Sequence, residues 1–419
     1  MANCTNGIGR QTQTLLGALG HRWNDLTART GPFTPYLAIP TPGPRTWAYD
    51  PARLAATEQI ISARGGQILP LDHDDTAEFW SPTVWRQLSR GAAATALQLT
   101  RHYDQIAVIA VDTPFLGTGT AYLANPTDQA KITILLTPYG TAHIHGHPDP
   151  DPARLDWEHH GLNATTAPGI HVADIGRFLT THLINRFGLS PDHFLPYKSS
   201  LDLHAPDLTP MPPDQARRTA TAFGVPTDRT LLLTIGRTAT TKGIDLLLNA
   251  VAQCRDAAHL VAIIVAFDDH DPLLDDYRRR IAALNLDATL ITTFTRQLPR
   301  ALASLPTTRA VICPSRGETL ANVPFEVALW ARHGGPVVVA PAKDGFLEQI
   351  THGHTGLLYP PNDPAALVSA LRHAIGLGQR ARTRMCAAAY QRVATERDVI
   401  PNLSTTLRYL LPAPAHSSR

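Results

Sequence analysis

Short apolar runs rich in β-forming residues alternate with helical segments along almost the whole of this 419-residue chain. In the first half, helical segments such as 51–63, 83–101 and 174–187 separate the apolar runs. A second alternating series extends from residue 230 to about residue 393. Strands that alternate with helices form βαβ units, which build parallel sheets. The sequence therefore predicts an α/β fold of doubly wound parallel sheets, and its first-half strand candidates are 35–39, 67–71, 105–111, 131–136, 169–173 and 194–196.

A polar, proline-rich stretch at 199–213 separates the two series and is predicted to be a hinge. Since the chain is long enough for two domains of ordinary size, we expect an N-terminal domain over 1–205 and a C-terminal domain over 206–393. A last helix is expected near 399–411, within a segment 394–419 whose final residues should be frayed.

The composition argues against several classes of function. The formal net charge is +2 and no basic run of five or more residues occurs, so a nucleic-acid partner is not expected. No stretch approaches the ~18 apolar residues of a membrane-spanning helix, and the polar first residues are not those of a signal peptide. The four cysteines are scattered without a C-x-x-C pair, so we expect reduced thiols in a cytoplasmic protein.

Two glutamates lie on a predicted strand–loop–helix segment in the second half. The apolar run 310–313 reads as a buried strand, and a helix is expected to follow Pro324 and to stop at the glycines 334–335. Amides at the start of that helix favour an anion, whereas the carboxylates of Glu318 and Glu326 accept hydrogen bonds from hydroxyl groups. The combination suits a nucleotide-sugar. The alternative is a helix start that merely favours acidic residues.

A second segment places two cations after a strand. The apolar run that begins at Thr230 ends at Gly236, and Gly243 precedes an amphipathic helix. Arg237 and Lys242 thus stand on a short loop at the carboxyl end of a strand. Fixed cations there would neutralise the charge of a departing diphosphate, although two solvated surface charges are the alternative.

The two segments, taken together, resemble the retaining glycosyltransferases of the glycogen-synthase-like group, often called family 4. The resemblance is carried by G-R-x-x-x-x-K-G at 236–243 and E-x7-E at 318–326, followed in the family's order by 335–339, 344–348 and 353–361. It implies the GT-B fold, in which two Rossmann-like domains face a cleft and the last helix packs back on the first domain. It also implies transfer of a hexose from a nucleoside-diphosphate sugar, with UDP the commoner nucleotide, to a small acceptor. No metal and no separate cofactor are implied.

The resemblance also assigns roles to individual residues. Arg237 and Lys242 would hold the donor diphosphate, and Glu326 would accept the ribose hydroxyls. Glu318 and the amides of Thr319, Leu320 and Ala321 would hold the transferred sugar, while the amides of Asn322 and Val323 would reach the phosphates. The family usually has glycine at positions 319 and 321, so the identity of the sugar stays open.

The first domain offers weaker candidates for the donor and acceptor cleft. Gly7 and Gly9 resemble the family's first glycine loop, but only six mostly polar residues precede them, so either the first strand is missing or the translation start lies upstream. Tyr139 takes the place of a family histidine. His143 and His145 would contact sugar or acceptor, with zinc binding or ordinary loop histidines as alternatives. Asp174 would face the cleft or simply cap a helix.

Three competing functions remain open from the sequence. A nucleotide-sugar 2-epimerase shares the architecture, and an NAD-dependent dehydrogenase is weakly indicated by the glycines 117 and 119. A non-catalytic nucleotide-sugar-binding protein is the third. The acids at 267–271 superficially match a metal-binding D-x-D and are read as loop residues. The acceptor is expected to be a small hydroxylated molecule of natural-product biosynthesis, such as an aminocyclitol, and the protein a monomer or homodimer without a membrane partner.

Overall fold

The computed structural model describes residues 7–41, 50–125, 131–146, 149–254, 257–266, 271–293 and 295–412. These residues form two compact units. Unit 1 combines the chain up to Asp202 with the chain from Asp398 onward, and unit 2 is Leu203–Arg397. The division at Asp202 falls inside the polar stretch 199–213. The predicted missing first strand and most of the predicted frayed tail and D-x-D-like acids lie outside the described residues.

Unit 1 contains two parallel sheets. One sheet has two strands and the other has four, in the order β3-β4-β5-β6. All six strands predicted for the first half are present, with only small shifts at their ends. They are β1 (Leu37–Pro40), β2 (Ile68–Leu71), β3 (Ile106–Val111), β4 (Ile132–Thr137), β5 (Ile170–Asp174) and β6 (Phe194–Pro196).

The helices of unit 1 lie between these strands in sequence, as the alternating pattern predicts. One expectation is wrong: the helix predicted from residue 174 begins only at Arg177, because Asp174 is the last residue of β5. The helices are α1 (Gly7–His21), α2 (Trp23–Thr30), α3 (Pro51–Ser62), α4 (Pro82–Leu99), α5 (Thr118–Leu123), α6 (Ala142–His145), α7 (Pro152–Leu162), α8 (Arg177–Phe187) and α17 (Val399–Leu410).

Helix α17 belongs to unit 1 although it is distant from the rest of that unit in sequence. Its apolar face buries Val399, Ile400, Leu403 and Leu407 against residues of α1 and α2. Burying a leucine or isoleucine side chain contributes about 1.5–3 kcal/mol, so this one face anchors the end of the chain. The Asp398 side chain accepts a hydrogen bond from the Ile400 amide, and so caps the helix.

Unit 2 is built on one six-stranded parallel sheet in the order β12-β11-β10-β7-β8-β9. From β7 the chain proceeds outward through β8 and β9, and then returns to β10 on the other side of β7 before it proceeds through β11 and β12. The strand order therefore reverses between β7 and β10. The strands are β7 (Leu231–Arg237), β8 (His259–Val265), β9 (Ala288–Ile291), β10 (Thr308–Ile312), β11 (Val337–Pro341) and β12 (Leu357–Tyr359).

Four helices, two in each unit, begin at an Asp-Pro dipeptide. At Asp50-Pro51, Asp151-Pro152, Asp271-Pro272 and Asp363-Pro364, the aspartate side chain accepts a first-turn amide while the proline occupies a position that needs no donor. Helices α9 to α16 of unit 2 are Pro213–Ala222, Ile244–Ala252, Pro272–Ala283, Gln297–Ser304, Asn322–Trp330, Phe346–Gln349, Pro364–Gly376 and Gln379–Glu396.

Helix α13 differs from its prediction at both ends. It begins at Asn322, two residues before Pro324, and ends at Trp330 rather than at the glycines 334–335. A proline in the first turn is tolerated because its missing N–H would have had no partner within the helix. Gly334 instead lies in the turn that follows, with a φ of +107°.

Candidate functional site

The loops after β7 and β10 meet where the strand order of unit 2 reverses. Parallel α/β sheets bind ligands outside the carboxyl ends of their strands at such a point. β7 and β10 are hydrogen-bonded neighbours, and Ile312, the last residue of β10, is paired to Thr234 in the middle of β7. The loop that carries Arg237 and Lys242 and the loop that carries Glu318 therefore start side by side.

The loop after β7 is held tightly against the loop after β10. Arg237 is the last residue of β7, and a single 3₁₀ turn, Thr240–Lys242, leads to Gly243. Gly243 has a φ of +63°, and a Cβ atom there would lie 2.1 Å from the Pro314 carbonyl oxygen. The backbone conformation and the close approach both require glycine at this position.

Lys242 and Glu318, which the sequence predicted to act on one ligand, form an ion pair with each other. The Lys242 ammonium donates to the Glu318 carboxylate, and their side chains are only 25% and 9% exposed. Burial raises the pKa of the neighbouring Cys313 thiol to about 12, and the Glu318 carboxylate adds to that effect while Lys242 opposes it. Cys313 is therefore a neutral thiol beneath a charged pair.

A second ion pair ties the loop after β10 to the start of α10. Arg316 donates to both carboxylate oxygens of Asp245 at 2.8 and 2.6 Å, and also to the Thr240 carbonyl. Burial acts to raise the pKa of Asp245, but the hydrogen bonds and charge of Arg316 outweigh it and lower that pKa. The Arg316 amide donates to the Thr241 carbonyl at 2.7 Å. Arg316 therefore joins the loop after β10 both to the loop after β7 and to α10.

The loop of Glu318 is also supported by the segment between β11 and α14. The Glu318 amide donates to the Asp344 carboxylate at 3.3 Å. The Gly345 amide donates to the Glu318 carbonyl at 3.2 Å, and a Cβ atom on Gly345 would lie 1.4 Å from the Thr319 carbonyl oxygen. Only glycine at position 345 lets the two segments approach this closely.

Gln349 clamps the main chain just before α13. Its side-chain amide accepts from the Ala321 N–H at 3.2 Å and donates to the Ala321 carbonyl at 2.7 Å. The Ala321 amide, which is predicted to hold the transferred sugar, therefore donates to the Gln349 side chain in this structure. Asn322 and Val323 are the first residues of α13, and first-turn amides point toward the N-terminal end of a helix. Glu326 lies one turn further on and is half-buried.

Sequence analysis missed part of this support. Gln349 is not near Ala321 in the sequence, and nothing in the apolar pattern of 346–350 marks its amide as a partner. Arg316 was not singled out either, although it lies two residues before Glu318. The sequence assigns no role to the block at 344–348, whereas the structure places Asp344 in hydrogen-bond contact with the Glu318 amide.

The predicted residues of unit 1 are more dispersed. Gly7 and Gly9 do not form a loop, because α1 begins at Gly7 and both lie in its first turn. Tyr139 follows β4, and its hydroxyl contacts the Tyr197 hydroxyl at 3.4 Å. The capping role considered for Asp174 is wrong in that Gly176 precedes the helix, although the Asp174 carboxylate accepts from the Thr180 hydroxyl at 2.7 Å.

The two predicted histidines lie on the short helix α6. The ring centroid of His143 is 6.1 Å from those of His182 and Phe187 on α8, so His143 packs between helices. Burial lowers the pKa of His143 and, more strongly, lowers that of His182 to about 4. The His145 ring lies over Gly140, where a Cβ atom would be 2.0 Å from its Nε2 atom.

The glycines that weakly indicated a dehydrogenase serve packing. A Cβ atom on Gly117 would lie 2.5 Å from the Trp157 ring, and one on Gly119 would lie 3.0 Å from the Ala164 side chain. Close packing inside unit 1 therefore explains both glycines. Within the described ranges, no helix is long and apolar enough to cross a membrane. No group of three or more metal-ligating side chains occurs among the same residues.

Comparisons with known proteins agree with this architecture. Residues 229–376 match the family described as Glycosyl transferases group 1. The D-inositol 3-phosphate glycosyltransferase of Kribbella flavida is 29% identical over 239 residues, which cover 51% of this chain and 54% of the relative. The chain thus spans about half the length of that curated relative.

Solved structures with the same fold match nearly the whole chain. Anabaena HepE, crystallised with UDP and glucose, has a TM-score of 0.71 at 15% identity and covers 97% of this chain and 96% of its own. A glycosyltransferase from Rickettsia africae gives 0.70 at 15% identity, with coverage of 97% and 96%. Sucrose-phosphate synthase from Thermosynechococcus elongatus gives 0.68 at 16% identity, with 90% and 99%. The fold predicted from the resemblance is confirmed: the chain has the GT-B fold, and its residues 229–376 match the family described as Glycosyl transferases group 1.

Proposed function

We propose that the protein is a retaining, metal-independent hexosyltransferase that moves a sugar from a nucleoside-diphosphate donor to a small hydroxylated acceptor. One observation carries the proposal. Lys242 and Glu318 meet at the carboxyl ends of β7 and β10, at the reversal of strand order, inside the segment that matches the glycosyltransferase family. A cation for phosphate and a carboxylate for hydroxyl groups are the two groups that a nucleotide-sugar needs side by side.

The named relatives support the same substrate classes. HepE was crystallised with UDP and glucose, and the curated relative is named for an inositol phosphate acceptor. We therefore take UDP-sugars as the donors to test first and polyhydroxylated molecules as the class of acceptor. The acceptor is proposed to belong to natural-product biosynthesis. The cytoplasm as the compartment and a monomer or homodimer as the assembly remain predictions from the sequence.

Each charged side chain then has a proposed task. Arg237 and Lys242 bind the diphosphate and stabilise the negative charge that grows on it as the sugar–phosphate bond breaks. Glu318 accepts hydrogen bonds from the sugar, and Glu326 from the ribose. The first-turn amides of α13 add partial positive charge near the phosphates. Because Lys242 is paired with Glu318, a bound diphosphate must take the ammonium from the carboxylate.

The anomeric configuration is retained if the acceptor attacks the same face of the sugar from which the diphosphate departs. The acceptor oxygen forms a bond to the anomeric carbon on the face from which the diphosphate leaves, and the sugar–phosphate bond breaks. The acceptor proton passes to a phosphate oxygen of the leaving nucleotide. No enzyme nucleophile is required, and the protein contributes positioning and charge stabilisation.

The experiment is transfer from UDP-glucose to a panel of myo-inositol 3-phosphate, fructose 6-phosphate, glucose 6-phosphate and 2-deoxystreptamine, with and without EDTA. We expect UDP release, a product whose anomeric proton has the coupling of an α-linked sugar, and no effect of EDTA. Since UDP-glucose is itself α-linked, a β-linked product would contradict retention. If GDP-, ADP- and dTDP-glucose also fail to react, the hexosyltransferase proposal is wrong. Lys242→Met serves as the inactive control.

A further inference from the structure

Asp112 has a backbone conformation that only glycine adopts readily. It follows β3 directly, and its φ and ψ are +64° and −177°. The other non-glycine residues with positive φ in the described ranges are Asn285, Asp344 and Asn362. Asparagine and aspartate both adopt positive φ more often than most residues, but the ψ of −177° places Asp112 outside the left-handed helical region that they usually occupy. Strain of the Asp112 kind persists only where the surrounding structure enforces it, and it is concentrated at functional sites.

Neighbouring groups enforce this conformation. The Asp112 amide donates to the Thr137 carbonyl at 3.1 Å, and the Asp112 carbonyl accepts from the Phe115 amide at 3.0 Å. The Trp157 indole donates to the next carbonyl, that of Thr113, at 2.7 Å. Asp112 is only 3% exposed, so the strained residue is locked inside the fold.

The Asp112 carboxylate holds the main chain of the neighbouring strand end. It accepts a hydrogen bond from the Tyr139 amide at 3.4 Å, just after β4. The Tyr139 hydroxyl in turn contacts the hydroxyl of Tyr197, which follows β6 directly. Asp112, Tyr139 and Tyr197 thus occupy the carboxyl ends of three strands of one parallel sheet, the edge at which such sheets bind ligands.

The two phenols are suited to hydroxylated ligands. Burial raises the pKa of Tyr139 and that of Tyr197, so both hydroxyls keep their protons at neutral pH. A protonated phenol can donate one hydrogen bond and also accept, as the hydroxyl groups of a polyol do. Tyr139 is half-buried, and Tyr197 is 5% exposed.

We propose that Asp112 is a positioning residue for the acceptor: it fixes the main chain of Tyr139 so that the phenols of Tyr139 and Tyr197 bind the acceptor's hydroxyl groups. This inference rests on the proposed transferase function and adds the acceptor side to it. It assigns no bond-breaking role to Asp112.

Two substitutions separate positioning from strain. Asp112→Gly relieves the backbone strain but removes the partner of the Tyr139 amide, whereas Asp112→Asn keeps an oxygen that can accept from that amide. With the best acceptor of the panel above, we expect Asp112→Gly to raise the acceptor KM about tenfold and to leave the donor KM within about twofold. Asp112→Asn should stay within about twofold of wild type for both.

Two further measurements distinguish this positioning role from a merely structural one. The melting temperature of Asp112→Gly should not fall below that of the wild type, and hydrogen exchange at the Tyr139 amide should speed up in Asp112→Gly but not in Asp112→Asn. Asn285→Gly, which relieves a positive φ of +47° on the exposed surface of unit 2, is the matched control and should leave all kinetic constants unchanged.

Three results would overturn the proposal while the transferase function stands: a wild-type acceptor KM in Asp112→Gly, an equal rise of the donor KM, or equal impairment in Asp112→Asn. An inactive wild type would remove the transferase proposal and this inference with it. The amide-exchange measurement does not depend on activity, so it still reports whether Asp112 holds Tyr139.

Discussion

Replacing Glu318 with glutamine should strengthen the binding of a nucleoside diphosphate although it removes a residue of the proposed donor site. The Glu318 carboxylate forms an ion pair with the Lys242 ammonium, and both side chains are largely shielded from water. A diphosphate must displace that carboxylate and then lie near its negative charge. Glutamine has nearly the same shape and carries no charge, so it removes both obstacles.

The size of the effect follows from the burial of the pair. Fully exposed ion pairs contribute about 0.2–1 kcal/mol, whereas breaking a buried pair costs about 3–5 kcal/mol. With exposures of 25% and 9%, the Lys242–Glu318 pair lies between these cases, and we take about 1–2 kcal/mol. At about 1.4 kcal/mol for each factor of ten, the dissociation constant should fall roughly five- to thirtyfold.

The assay is isothermal titration calorimetry with UDP, at two salt concentrations, on wild type and Glu318→Gln. Transfer should fall sharply in the same variant, because the sugar loses its hydrogen-bond acceptor. Asp275→Asn is the control, since it removes an exposed ion pair with Arg278 in the same unit and should not change UDP affinity. Weaker or unchanged UDP binding by Glu318→Gln would refute the idea that Lys242 must exchange partners.

Four other outcomes are expected. Lys242→Met should lower kcat by about 100-fold or more with the fold intact, since its charge acts mainly on the leaving group; a wild-type kcat would contradict that. Glu326→Ala should weaken UDP binding about tenfold by calorimetry, and unchanged affinity would remove its ribose role. Burial, with nearby cations, lowers the pKa of His182 from 6.5 to about 4, so the folded state resists a proton that the unfolded chain accepts. Stability should therefore be complete above pH 6.5 and fall on the order of 1–3 kcal/mol toward pH 4, a slope that urea titrations should find reduced in His182→Asn. Arg382 is buried without a carboxylate partner among the described residues, so Arg382→Met should leave the urea midpoint unchanged or raise it. Arg392→Met is the comparison: it loses hydrogen bonds to main-chain carbonyls and should lower the free energy of unfolding by about 1–2 kcal/mol.

Local sequence determined most of the fold. The apolar runs that form β3 and β7 and the Asp-Pro dipeptides that mark four helix starts are readable without a structure. Helix α13 begins at Asn322, so Pro324 is its third residue rather than its first. A proline is tolerated anywhere in the first turn of a helix, so its position does not define where the helix begins. Asp174 was assigned to a helix because aspartate favours both caps and strand-to-helix turns, and the sequence does not separate the two.

The predictable site residues are those whose side chains lie on a short segment directly after a strand. Arg237 ends β7, Lys242 and Glu318 stand on the loops that follow β7 and β10, and parallel pairing of these two strands brings the loops together. Gln349 and Asp112 were missed for different physical reasons. Gln349 acts across a distance of 28 residues in sequence, through a contact that exists only after the sheet has formed. The positive φ of Asp112 has no signature in the residue type, because aspartate there looks like any polar end of a strand.

The most direct test of the central claim is a thermal-shift scan of the wild type and Lys242→Met against UDP, GDP, ADP, dTDP and NAD. A ligand that binds only the folded state raises the melting temperature. We predict a clear rise with one nucleoside diphosphate, UDP first, that is much reduced in Lys242→Met. No rise with any diphosphate, a rise with NAD alone, or an equal rise in Lys242→Met would contradict a donor site at the carboxyl ends of β7 and β10.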